Sequence, residues 1–230
     1  MIRDHKFDSR DALLRHLLQD VMTGLSSALE SRGQASMLLS GGTSPGALYR
    51  MMSDQDIAWD RIWFGLSDER WVAPDHPDSN ENLVRQTLLT GRAAAANFIG
   101  LKSTPDDIAA GQAETEQRLL DLPRPFDIVL LGMGLDGHSA SLFPDSADVA
   151  AALDNDSKAL CQPVRRGAGE IPRMTMTCKA LLQSREIKLL IFGAEKWQIY
   201  QQARAAKSTA QPVSFILNQQ KTPVSVYWAA

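Results

Sequence analysis

The chain has 230 residues, 44% of them hydrophobic and 22% charged, enough to bury an ample core; one α/β domain over 1–230 is the reading adopted, although length alone also permits two small ones. A formal net charge of -3 provides no broad positive field, which argues against nucleic acid or an anionic membrane as partner and requires any anionic ligand to be held by a local cluster of donors. The N-terminal MIRDHKFDSRDALLRHLL is interrupted by charge, and no stretch is apolar for long enough to span a bilayer, so a cytoplasmic location is expected.

From Asp11 to Leu29, apolar residues recur at Leu13, Leu14, Leu17, Leu18, Val21 and Leu25, the spacing of an amphipathic helix; His5, before it, is read as part of a frayed end. Short apolar runs follow at SMLLS (36–40), IWFGL (62–66), FDIVLLG (126–132), KLLIFG (188–193) and SVYWA (225–229), each too short for a helix. Helical patterns lie between them in PGALYRMM, NENLVRQTLL, AAGQAETEQRLL and AEKWQIYQQARAA. This alternation predicts an α/β fold, a mostly parallel sheet with helices on both faces. Cys161 and Cys178 have neither metal-site spacing nor disulfide density and are read as buried, reduced thiols.

In such sheets, ligands bind beyond the carboxyl ends of the strands, so the loops after strands are the places to search. SGGTSP (40–45) offers a glycine turn running into a helix, with Ser44 as the expected N-cap and Pro45 as the first helical residue. Such a turn is either an ordinary strand-to-helix connection or an anion site, where free N–H groups and the helix dipole favour a phosphate. In GAEK, Lys196 falls in the first turn of a helix, where the dipole disfavours a cation by up to roughly 1 kcal/mol, a mismatch that a nearby anion would repair. Arg173 opens the strand-like PRMTMT and has the planar fork that clamps phosphate, unless it is simply solvated. In SDERW the charged triplet Asp68, Glu69, Arg70 is either a solvated loop or a group placed to meet a substrate hydroxyl and a developing negative charge.

The stretch GMGLDGHSASLFP (132–144) contains the GxGxxG spacing of a dinucleotide site, but Pro144 interrupts the helix such a site needs, and the motif lies past the middle of the chain instead of in a first βαβ unit. Its Asp136 and His138 offer a carboxylate and an imidazole instead. Of the four histidines, His16 lies within the first helix and His76 in a polar loop, whereas His138 alone follows a glycine-rich turn at a strand end, as either a structural residue or a general base.

Taken in order, SGGTSP, SDERWVAPDHPDSN, LGMGLDGHSASLFP, PRMTMT and GAEK resemble the 6-phosphogluconolactonase family over nearly the whole chain. The departures are small: the hydroxyls of SGGTSP are exchanged relative to the common SGGSTP, and Ser139 stands where Thr is usual. The resemblance implies a sheet similar to those of glucosamine-6-phosphate deaminase and ribose-5-phosphate isomerase, and hydrolysis of 6-phosphoglucono-1,5-lactone without metal or organic cofactor. It further implies a phosphate subsite at Gly42, Thr43 and Ser44 with Arg173 and Lys196, chemistry at His138, Asp136, Asp68 and Arg70, and a sugar contact from Asn80. Two rival readings are a sugar-phosphate deaminase and a non-catalytic sugar-phosphate sensor. The deaminase loop carries a Glu before its Pro, where this chain has Phe143 before Pro144, and a single helix ahead of the first strand leaves no room for a helix-turn-helix reader. The oligomeric state is not legible in the sequence.

Overall fold

The computed structural model describes residues 1–230 apart from the side chain of Thr43. Its elements, in chain order, are β1 (Ile2–Phe7), α1 (Arg10–Arg32), β2 (Ala35–Leu39), α2 (Thr43–Ser53), β3 (Ile62–Leu66), β4 (Asp68–Arg70), α3 (Asn80–Thr87), β5 (Asn97–Ile99) and α4 (Ile108–Leu119). The second half continues with β6 (Phe126–Gly132), α5 (Val149–Leu153), β7 (Cys161–Val164), β8 (Arg173–Met176), α6 (Cys178–Leu181), β9 (Ser184–Phe192), α7 (Ala194–Ala203), α8 (Val213–Leu217) and β10 (Val224–Ala229). Seven strands form one sheet in the order β1-β10-β9-β6-β2-β3-β5, and every neighbouring pair in it is parallel. A second, antiparallel sheet has the order β4-β8-β7.

All five residues of β2 and the first six of β6 are buried, so side chains that alternate up and down the strand are covered on both faces of the sheet. Much of that cover is α1, whose Leu13, Leu17, Val21 and Leu25 recur every fourth residue and are fully buried. Ser9 caps it by accepting from Ala12 N, and Gly33 closes it in the left-handed conformation at φ 73°. The N-terminal residues correct the sequence reading. Residues 2–7 are not frayed but form the edge strand β1, paired with β10 from Ile2 opposite Val224 to Phe7 opposite Ala229. Main-chain ladder bonds, not apolar pattern, hold this polar segment, IRDHKF.

The direction of travel across the sheet reverses between β2 and β6. From β2 the chain builds outward through β3 and β5, while on the far side of β6 lie β9, β10 and β1. The registered pairing of β2 with β6 is confined to Met37 opposite Ile128 and Leu38 opposite Val129. Their carboxyl ends therefore part, and a crevice opens at the switch point. The small sheet is joined to the large one at Ser67, whose N donates to Leu39 O at 2.8 Å and whose O accepts from Met176 N at 2.8 Å. Among the described residues, no helix is long and apolar enough to cross a membrane.

Candidate active site

The crevice is a pocket of about 280 Å³, and the loops after β2, β3, β6 and β9 all reach it. Gly42, Ser44, Asp68, Arg70, Asn80, His138, Arg173 and Lys196, expected from the sequence to act together, all line it. Asp136 stands behind the imidazole, and the side chain of Thr43 lies outside the described residues. The glycine turn differs in one detail from expectation. The N-cap of α2 is Gly42, at φ 92° and ψ 173°, so Ser44 and Pro45 sit inside the first turn. A positive φ is needed at the cap to swing the chain from strand to helix, and glycine supplies it where serine would be strained. Gly193, at φ 88° and ψ 154°, makes the same turn between β9 and α7 and brings Lys196 to the pocket. Burial pulls the Lys196 ammonium below its ordinary pKa, and the nearby Asp136 opposes that shift.

The loop after β6 shapes the imidazole site. Gly134 N donates to His138 O at 2.9 Å, Gly137 N donates to Gly134 O at 3.1 Å, and Gly137 takes φ 77°, so the chain doubles back on itself. The fold of this loop brings Asp136 Oδ1 to 2.5 Å from His138 Nδ1 and to 3.1 Å from its backbone N. A Cβ on Gly134 would lie 2.2 Å from the His138 ring, so the dyad requires glycine there. Burial acts to raise the pKa of Asp136, but the backbone N–H, charge and ring N–H of His138 outweigh it and hold the carboxyl below its ordinary value. The carboxylate fixes a proton on Nδ1 and leaves the Nε2 lone pair as the basic atom. Next in the chain, Ala140 has φ 50°, a left-handed conformation that costs a non-glycine residue about 1 kcal/mol or more. This turn lets Ser141 Oγ reach Asp68 Oδ2 at 2.5 Å and Ser141 N reach Thr175 Oγ1 at 3.2 Å, which ties the loop to both β4 and β8.

The charged triplet is not a solvated loop. Asp68 and Glu69 are buried in β4, and the sequence reading missed what Glu69 does. Its carboxylate accepts from Arg70 N and Asn80 N at 2.7 Å, Glu81 N at 2.8 Å and Ser79 Oγ at 3.0 Å. It thereby caps α3 from a neighbouring strand and fixes two pocket residues, Arg70 and Asn80, through their backbones. Burial pushes its pKa up, and these donors pull it back in part. Asn80 is buried, donates to Asp68 O at 2.8 Å, and approaches Gly41 so closely that a Cβ there would fall 1.9 Å from its Oδ1.

Arg70 and Arg173 face each other across β4 and β8 as a register pair. Like charges directly opposite on paired strands repel. Arg70 Nη1 donates to Asp78 O at 2.5 Å, but among the described residues the Nε atoms of both arginines are buried without a partner. Burial, with Arg70 beside it, holds Arg173 below its ordinary pKa. Two half-buried guanidiniums side by side at the pocket wall favour an anion there.

A switch-point crevice of parallel strands with cations around an imidazole–carboxylate dyad has the make-up of an enzyme site for an anionic substrate, and sequence comparison gives the family. The model of the glucosamine-6-phosphate isomerases/6-phosphogluconolactonase family matches residues 8–228, and the chain belongs to that family. It is 36% identical over 227 residues to a 6-phosphogluconolactonase of Rhizobium meliloti (strain 1021), covering 98% of this chain and 97% of the relative. The crystal structure of a 6-phosphogluconolactonase from Shewanella baltica OS155 superposes with a TM-score of 0.95 at 39% identity, covering 100% of this chain and 98% of the other. A monomeric glucosamine-6-phosphate deaminase shares the fold at a TM-score of 0.78 and 18% identity, covering 97% of this chain and 96% of the other.

Proposed function

We propose that the pocket hydrolyses 6-phospho-D-glucono-1,5-lactone to 6-phospho-D-gluconate, a step of the oxidative pentose phosphate pathway, with His138 as general base. The protein is a carboxylic ester hydrolase acting on a sugar-phosphate lactone, read as one domain over residues 1–230 and as a cytoplasmic enzyme. The observation that carries the mechanism is the convergence, in one pocket, of the Arg70 and Arg173 guanidiniums with the His138 imidazole, backed by Asp136.

In this mechanism, His138 Nε2 takes a proton from water as its oxygen attacks C1 of the lactone. Asp136, on Nδ1, favours the imidazolium that forms, and Arg70 stabilises the oxyanion. Collapse breaks the bond from C1 to the ring oxygen, and the imidazolium returns its proton to that oxygen, which leaves as the C5 hydroxyl. The new acid ionises to the carboxylate. The lactone is an activated ester with a tethered leaving group, so a positioned base and an oxyanion donor suffice and no metal or organic cofactor is invoked. The turn at Gly42, Thr43 and Ser44, with Arg173 and Lys196, holds the phosphate, and Asp68 and Asn80 meet sugar hydroxyls. Phosphate binding away from C1 is spent on orientation.

The test is lactone hydrolysis by wild type and His138→Ala after subtraction of spontaneous ring opening. Loss of roughly 10²- to 10⁴-fold in kcat is expected; full activity in the variant overturns the base assignment. Turnover of glucosamine 6-phosphate at a rate comparable to that of the lactone would overturn the hydrolase reading itself.

A further inference from the structure

Behind the wall of the pocket, in the turn between β7 and β8, lies a cation that the mechanism above does not use. The Arg166 guanidinium lies over the Phe143 ring at 4.4 Å from its centroid, Arg173 approaches the same ring at 5.5 Å, and this buried ring neighbours the His138 imidazole, with ring centroids 4.5 Å apart and planes tilted by 47°. The same guanidinium grips Asp145 with two bonds, from Nε at 3.1 Å and Nη2 at 2.8 Å, and approaches Glu170 Oε2 at 3.3 Å. Arg166 does not line the pocket, so it reaches the reacting atoms only through Phe143 and Asp145.

We propose that Arg166 is a positioning residue of the hydrolase: it presses Phe143 onto the imidazole of His138 and neutralises Asp145, so that the base keeps its orientation and its free lone pair. The proposal rests on the reading of His138 as the base. Its physical content is a charge balance. The imidazole touches Asp136 and shares the pocket with Asp68 and Arg70 from β4, Arg173 from β8 and Lys196 from α7, while Asp145, two residues beyond Phe143, is held by Arg166 over the Phe143 ring that neighbours the imidazole. Asp136 favours the imidazolium in direct contact, as a base needs during the reaction, and a second unneutralised carboxylate would protonate the ring before the reaction begins. Asp145 is such a carboxylate: Arg166 and the His138 charge both hold it below its ordinary pKa. The guanidinium converts it into one half of an ion pair, and by holding Phe143 beside the imidazole it limits the room in which His138 can turn away from the attacking water.

The experiment pairs pH profiles of kcat/KM for lactone hydrolysis with NMR titration of the His138 ring in Arg166→Gln, Asp145→Asn, the double variant and Arg166→Lys. Removing the cation favours imidazolium, so Arg166→Gln should raise the imidazole pKa and move the acidic limb of the profile upward by roughly half to one pH unit. Asp145→Asn should move both the opposite way, and the double variant should return near wild type. Arg166→Lys, which keeps the charge without the guanidinium that lies over Phe143, should leave the limb in place and lower kcat severalfold with KM unchanged. An imidazole pKa that stays put in both Arg166→Gln and Asp145→Asn overturns the proposal. Movement of the imidazole without movement of the rate limb upholds the link to Arg166 and overturns the base assignment instead.

Discussion

Gly134 shows how one missing side chain makes room for chemistry. The Gly134→Ala methyl would enter the space of the His138 ring and Asp136 Oδ1, 2.2 and 2.6 Å away. The ring must then turn, and a displacement of about 1 Å is enough to cost roughly 10²-fold in rate. We expect Gly134→Ala to lose about that much in kcat while its melting temperature falls only slightly, as measured by steady-state rates and thermal unfolding. Wild-type kcat in the variant would show that the dyad does not need this glycine. His138 and Lys196 were legible in the sequence because each follows a glycine turn at a strand end, a local signal. Ser141, Phe143 and Arg166 were not, since their partners Asp68, His138 and Asp145 become neighbours only when the loop after β6 folds onto β4 and the turn between β7 and β8 closes behind it.

Among elements, β4 is the least strand-like segment by composition, three charged residues in a row, yet it places one side chain on each of three tasks. Asp68 anchors the loop after β6, Arg70 enters the pocket, and Glu69 caps α3. Each oxygen of Glu69 takes two donors, so Glu69→Gln would turn an amide NH₂ toward groups that are themselves donors. The expected cost is about 2–4 kcal/mol, read as a lower urea midpoint at unchanged slope, together with weaker substrate binding as Arg70 and Asn80 lose their anchor. An unchanged midpoint would remove Glu69 from this role. The interior strands and the long helices could be read from their apolar spacing alone. β1, β4 and β5 could not, because ladder bonds to distant partners, not side-chain pattern, make them strands.

Over the whole molecule, the pocket draws on residues from Ser40 to Lys196, and the order of strands brings them together. On the proposed reading, the phosphate of the ligand offsets the charges of Arg173 and Lys196. 6-Phosphogluconate at a hundred times its Kd should therefore stabilise the fold by about 2.7 kcal/mol. For a chain of this size that is a rise of roughly 5–10 °C in melting temperature. Gluconate at the same concentration, without the phosphate, should give far less, and equal stabilisation by the two would show that the cations do not read the phosphate. The pairing of β2 beside β6 also has a metrical consequence. The glycine turn hangs from one strand and the imidazole from its immediate neighbour, and the two strands are held at roughly 4.8 Å where Met37 and Leu38 pair with Ile128 and Val129, before their ends part. The crevice is thus a caliper hinged on main-chain pairing, its jaws opening from that fixed pair.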